Sequence, residues 1–221
     1  MDSLLSTPTI QYCEIALDAF IARPWYALSN VAFVITGVLI LRRKKSYGYL
    51  FGSLVILIGG LSFAYDASYT YISQLFDIGG MLLLVCFLLY LNLQTWRLHQ
   101  RQLIVRLATV FVLGITTIFI FKGFAGNIIF GLLVIAYILS EVRLLYTGRH
   151  SHANYWVMAF SIFTLGFIFW LLDASHMYCV DIGLFNGRAI FHYTSAAAIY
   201  MLFKFYGLQL ETNGDKSTTK F

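Results

Sequence analysis

Seven apolar segments dominate the chain, and none of them contains a proline. They run at about 25–41, 47–65, 72–92, 103–121, 125–145, 154–174 and 188–207. Each is roughly 17–22 residues long, the length an α-helix needs to cross a bilayer. In hydrocarbon every backbone N–H and C=O must be bonded within its own helix or within a closed barrel. The segments lack the strict alternation of barrel strands, so helices are expected. Composition agrees, with 60% hydrophobic and 11% charged residues in 221, against about 25% charged in soluble domains. The expected fold is all-α, a seven-transmembrane helix bundle formed as one domain by residues 1–207 with no linker. The polar end, 208–221, has the composition of a disordered tail. The start, "MDSLLSTPTIQYCE", has no basic region before an apolar core. The first span is therefore expected to drive insertion.

Loop charge orients such a bundle. Arg42, Arg43, Lys44 and Lys45 follow the first span, and Arg97, Arg101 and Arg106 follow the third. Arg143 and Arg149 follow the fifth, and Lys204 stands near the end of the seventh. The other side carries Asp2, Glu14, Asp18, Asp66, Asp173 and Asp181, with Arg23, Lys122 and Arg188 as its cations. This alternation predicts the N-terminus outside and the C-terminus cytoplasmic. The net charge of +5 thus reports topology, and no nucleic-acid partner is expected. Trp25, Tyr26, Trp96, Tyr146, Trp156 and Tyr178 near segment ends are read as interfacial belts. Gly48 and Gly52 on the second span suit close helix packing.

Ionisable residues inside spans are functional candidates, and here they converge at the outer side. Ser62 and Asp66 are four apart at the end of the second span, on one helical face. Asp77 lies about one and a half turns into the third span. Arg188 and His192 are four apart at the start of the seventh, and Asp173 closes the sixth. Helical rise puts Asp66 and Arg188 near the mouth, with Ser62, Asp77 and His192 about one turn deeper. Singly, each has a structural explanation: Ser62 bonding backbone, Asp173 capping a helix, Asp66 and Arg188 as an ion pair, His192 as a packing residue. Together they point to a pocket. Cys13 and Cys179 both fall on the outer side, and either form a disulfide in an oxidising compartment or remain two free thiols. Cys86, inside the third span, reads as a buried apolar residue.

The ordered stretches "YCE", "RPWYALSNVAFVITG", "SFAYDASYTYISQLFD", "WLLDASHMYC" and "NGRAIFHYTSA" resemble the alkaline ceramidase family. These are seven-helix membrane hydrolases related to the adiponectin-receptor-like proteins. The resemblance covers nearly the whole chain. It implies cleavage of the amide bond of ceramide or a related lipid amide, with a lipid as substrate. It implies a zinc ion held by three histidines, one on the second span and two in an H-x-x-x-H on the seventh, aided by a serine and an aspartate. Carried over, the catalytic serine and aspartate fall on Ser62 and Asp77. The metal positions fall on Asp66, Arg188 and His192, and the family disulfide on Cys13 and Cys179. His192 is the one zinc histidine retained. Asp66 has a donor oxygen to offer a metal, but Arg188 has no lone pair. His176 is a third ligand or a surface loop residue. Glu14 matches one position of the calcium site seen in animal members, but Arg23 replaces a glutamate there, so calcium is not expected.

Fixed cations then stand in for the ions, with Arg188 facing Asp66 and Arg23 facing Glu14 or Asp18. The first functional expectation is a ceramidase-like hydrolase with an altered or lost zinc site. The alternative is a non-catalytic, metal-free lipid-binding relative. A retinal protein needs a lysine midway along the last span, and Lys204 is too near its end. A transporter is favoured by internal repeats, and none is evident.

Overall fold

The computed structural model describes residues 5–44, 46–95, 100–122, 125–177, 179 and 183–218. Asp2, Lys45, Trp96, Arg97, Tyr178 and Asp181, used above for topology and belts, lie outside the described residues. Among the described residues the regular structure is helical throughout. The chain forms α1 (Pro24–Ser29), α2 (Val31–Leu41), α3 (Ser46–Ser68) and α4 (Tyr71–Gln94). It continues through α5 (Gln100–Phe121), α6 (Ala125–Tyr146), α7 (Ala153–Ala174) and α8 (Gly187–Thr218), with a short 3₁₀ turn at Gly183–Phe185 before α8. Among the described residues, six helices are long and apolar enough to cross a membrane, α1 and α2 counting as one through Asn30.

Local sequence explains the ends. Pro24 opens α1, where its missing N–H costs nothing. Thr70 caps α4 by accepting from the Ser73 N–H, while the Thr70 N–H reaches Ser73 Oγ. This is a reciprocal capping arrangement. Tyr69 takes a left-handed conformation, φ 48°, so α3 reverses into α4 within two residues. Ser62 lies seven residues before Tyr69 and Asp77 seven after Thr70, and the antiparallel hairpin brings them level.

The polar end departs from the expected disorder, because α8 stays helical to Thr218. The reason is cooperative. Once nucleated, a helix gains one bond per added residue, and no proline follows residue 24 to stop it.

The packed pairs are α7 with α8, α8 with α2, α2 with α3, α3 with α4, and α4 with α6. Together they trace a ring. Although consecutive, α6 and α7 are not among the closely packed pairs, so the ring is open between them. Helix α5 lies outside against α4 and α6. Phe51, Val55, Leu88, Leu89, Phe203 and Phe205 fill one end of the ring. Ile128, Leu132, Ile135 and Leu139 of α6 are exposed, an apolar stripe suited to lipid.

Small residues set the closest approach. A Cβ on Gly37 would stand 2.8 Å from the Gly52 carbonyl oxygen and 2.5 Å from Ile56 Cγ1. Gly48 instead faces Phe203 of α8 and the Ile40 carbonyl oxygen. Gly52 therefore serves α2 alone, whereas Gly48 sits between α2 and α8. Gly37→Ala is expected to cost about 1–3 kcal/mol, in the range of overpacked cores, read as a lower melting midpoint of the detergent-purified protein; an unchanged midpoint contradicts the close packing of α2 on α3.

Candidate functional site

Asp66, near the end of α3, is fully buried. Its Oδ1 meets two guanidiniums, Arg23 Nη2 at 3.0 Å and Arg188 Nε at 3.3 Å. Its Oδ2 accepts from Asn30 Nδ2 at 3.0 Å. The backbone repeats the link, since the Arg23 N–H donates to the Asp66 carbonyl at 3.1 Å and the Ala22 N–H to that of Ala67 at 2.8 Å. The expectation for Arg23 is thereby corrected: among the described residues, the carboxylate that meets it is Asp66, not Glu14 or Asp18. The reason is backbone geometry. Residues 22 and 23 lie along the end of α3, which holds Arg23 over Asp66.

Arg188 continues the chain of charges. Its Nη2 stands 3.6 Å from Asp77 Oδ2, and Asp77 Oδ1 accepts the Ser62 hydroxyl. Two carboxylates and two guanidiniums thus balance inside the bundle. Tyrosines wall them in. The Arg23 carbon Cζ lies 4.3 Å from the Tyr69 ring centre and 4.9 Å from that of Tyr65. Arg188 Cζ lies 4.4 Å from that of Tyr12 and 5.1 Å from that of Tyr65. Such cation–π contacts strengthen when water is excluded.

Asp173 is a hub rather than a simple end cap. Its Oδ1 accepts the Cys13 N–H at 2.9 Å and the Tyr26 hydroxyl at 2.8 Å, and its Oδ2 accepts the Arg188 N–H at 2.8 Å. The last bond fixes the first turn of α8, where orphan N–H groups attract a carboxylate. Only glycine fits at 187, where a Cβ would stand 2.5 Å from the Phe169 carbonyl oxygen. Tyr26 is buried with its hydroxyl on Asp173, so it is part of the site and not an interfacial belt residue. Trp156 is likewise buried, whereas Trp25 and Tyr146 are exposed.

The segment before α1 covers this end. A disulfide joins Cys13 to Cys179, with Cα atoms 5.1 Å apart. Thr9 donates to Gln74 Oε1 at 3.0 Å, and Trp170 Nε1–H to the Tyr12 hydroxyl at 3.2 Å. Burial pushes the Tyr12 hydroxyl up from its ordinary range, so it stays neutral beside two cations. Glu14 accepts the Trp25 and Tyr26 N–H groups, each at 2.9 Å, and so caps α1. Burial pushes its carboxyl up as well, against the lowering effect of those two bonds.

His192 Nδ1 is 2.6 Å from Ser29 Oγ, which lies 2.7 Å from the Tyr26 carbonyl. That carbonyl can only accept, so the network assigns the serine hydrogen to it and Nδ1–H to the serine. In the neutral ring Nε2 then carries the free lone pair. His176 sits in the exposed turn after α7, 3.8 Å from Cys179 Sγ, outside the charge cluster. Beside it the two sulfurs of Cys13 and Cys179 are bonded to each other, so neither is a thiolate ligand. Cys86 is buried and free.

A cavity of about 470 Å³ runs from this cluster down the inside of the ring. Ser62, Asp77, Arg188 and His192 line its charged end, and its walls are mainly apolar and aromatic side chains. Ser195 Oγ and Asn127 Nδ2 line it with no hydrogen-bond partner among the described residues. Sequence reading missed Ser29, Asn30, Tyr12, Ser195 and Asn127. The pair "SN" inside the apolar first segment was the available signal.

The donor set does not fit a zinc ion. Arg188 has no lone pair, both Asp66 oxygens face N–H donors, and a dication beside two guanidiniums meets strong repulsion. A helical membrane bundle with a largely apolar internal cavity charged at one end defines a class of integral, multi-pass membrane proteins. Within it, the ceramidase family model matches residues 5–220, and the chain belongs to that family. No curated protein matches the chain. Family membership makes this a ceramidase-like protein with lipid as its class of substrate.

Removing one partner from such a cluster leaves uncompensated buried charge, at about 3–5 kcal/mol. Asp66→Ala is therefore expected to lower the melting midpoint sharply or prevent recovery of folded protein. A midpoint equal to the parent's contradicts the double pairing.

Proposed function

We propose that the protein spans the membrane seven times and binds a ceramide-like lipid amide in the cavity without zinc, as a non-cleaving relative of the family's hydrolases. The carrying observation is that Asp66 is held by Arg23 and Arg188 together. The polar atoms of the lipid meet Arg188, Ser62, Asp77 and His192 at the charged end, and its hydrocarbon fills the apolar walls. Ser195 and Asn127 offer further hydrogen bonds. The N-terminus faces outside and the C-terminus the cytoplasm. Arg42, Arg43, Arg143 and Arg149 near one end and Asp66 and Asp173 near the other support that orientation. α8 supplies the seventh span with its apolar part, and no nucleic-acid partner is involved.

One observation favours a second reading, a metal-independent hydrolase. Ser62 is bonded to Asp77, and His192, with its Nδ1 on Ser29, lines the same cavity. A positioned base contributes about 10²–10⁴-fold and one oxyanion donor about 10²–10³-fold, small against a stable amide.

The test is elemental analysis with ceramide binding and fatty-acid release on the same purified sample. Expected are saturable binding, zinc far below one per chain, and no fatty acid released. Zinc near one per chain with release overturns the reading, and chelator-insensitive release establishes the second. Asp66→His with Arg188→His and Arg23→Gln is expected to create zinc binding. If that variant gains none, the account of arginines replacing the metal is wrong.

A further inference from the structure

The cavity ends on a polar floor. Its deepest lining residues are Leu88 of α4, Tyr137 and Ile138 of α6, Trp156 of α7 and Leu202 of α8. Trp156 Nε1–H donates to the Tyr137 hydroxyl at 3.2 Å. The Tyr137 and Tyr206 hydroxyls are 3.3 Å apart, and that of Tyr206 donates to Asn92 Oδ1 at 2.7 Å. Tyr206 also approaches Glu141, whose Oε1 lies 2.6 Å from His150 Nδ1. Asn92 Nδ2 donates to Ser140 at 2.8 Å. Asn92, Glu141 and His150 are buried.

This network makes the floor rigid. Trp156 cannot swing aside without giving up the partner of its own Nε1–H, and each buried polar group left unpaired costs about 1–3 kcal/mol. On its other side the indole stacks on Phe160, with centres 5.8 Å apart and planes 5° from parallel. Four helices, α4, α6, α7 and α8, contribute to the lock, so no single side-chain rotation opens it.

Depth follows from helical rise. Leu202 is ten residues beyond His192 and Leu88 eleven beyond Asp77, about 15–17 Å at 1.5 Å per residue. An extended hydrocarbon chain advances about 1.25 Å per carbon from bonds near 1.5 Å, so the floor lies about a dozen carbons below the charged cluster.

We infer that the Trp156–Tyr137 floor is a ruler, a specificity determinant that sets the longest lipid chain the cavity accepts. The inference rests on the lipid-binding reading above. Ala159, buried on α7 about one turn above Trp156, lines the same shaft and is where added volume would shorten it.

The test is binding of lipid amides whose acyl chains are graded in two-carbon steps, on the full detergent-purified chain. The parent is expected to show an optimum length with a loss of about tenfold or more beyond it, since forcing extra methylenes against a packed floor costs over 1 kcal/mol. Trp156→Ala is expected to move the optimum to longer chains by about four carbons, the depth an indole leaves. Ala159→Leu is expected to move it to shorter ones, which keeps the idea testable should Trp156→Ala not fold. Trp156→Phe keeps a ring on the floor and is expected to leave the optimum in place. Parent affinity that rises with length without an optimum, as for a chain leaving sideways between α6 and α7, overturns the ruler while leaving lipid binding intact. An optimum that stays fixed in both size-changing variants does the same. Failure of the parent to bind any chain length overturns lipid binding and the ruler with it.

Discussion

Asp66 is a fully buried carboxylate, held by two guanidiniums and an amide. A fully buried carboxylate persists only with opposite charges paired against it. Much of the charged end follows from that requirement. Arg23 must lie over the end of α3, which fixes the chain just before α1. Arg188 must face inward from the first turn of α8, which Asp173 secures through its backbone. Tyr12, Tyr26, Tyr65 and Tyr69 then supply aromatic walls, since few other side chains are both apolar and attractive to a cation.

The same requirement shapes the chemistry. The family resemblance implies a metal ion at this place, which would supply positive charge and activate water. Guanidiniums supply charge of the same sign with saturated geometry. A guanidinium can donate hydrogen bonds to a carbonyl, yet it does not make a hydroxide from water as a bound metal does. In the proposed reading recognition and bond cleavage are therefore separable, and the first does not demand the second.

Much of this was legible in the sequence for a simple reason. Helical period and length place Ser62 with Asp66 and Arg188 with His192 on single faces, and a two-residue turn at Tyr69–Thr70 sets Ser62 level with Asp77. Regular geometry carries that information. The partner of Arg23 was not legible, because it precedes α1 in irregular chain whose path depends on contacts with Ala67, Asp66 and Cys179. Tyr26 and Trp156 misled for a related reason. An aromatic residue near a segment end is compatible with a belt, and only packing tells which way the ring faces. The polar floor was missed because Asn92, Glu141 and His150 stand at segment ends, where charge attracts no notice.

The two-step pairing of Asp66 has a consequence for how the chain is made. Arg23 stands just before the first membrane segment and Asp66 near the end of the second, so they can neutralise one another as soon as that hairpin exists. Arg188 is made some 120 residues later (188 − 66 = 122) and meets a carboxylate that already has a partner, together with Asp77. Early segments therefore need not wait in the membrane with a bare charge. The last helix then acts as the closing member of the assembly, and the bond between Cys13 and Cys179 ties the chain just before it to the N-terminal segment. Charge order along the chain doubles as an assembly schedule.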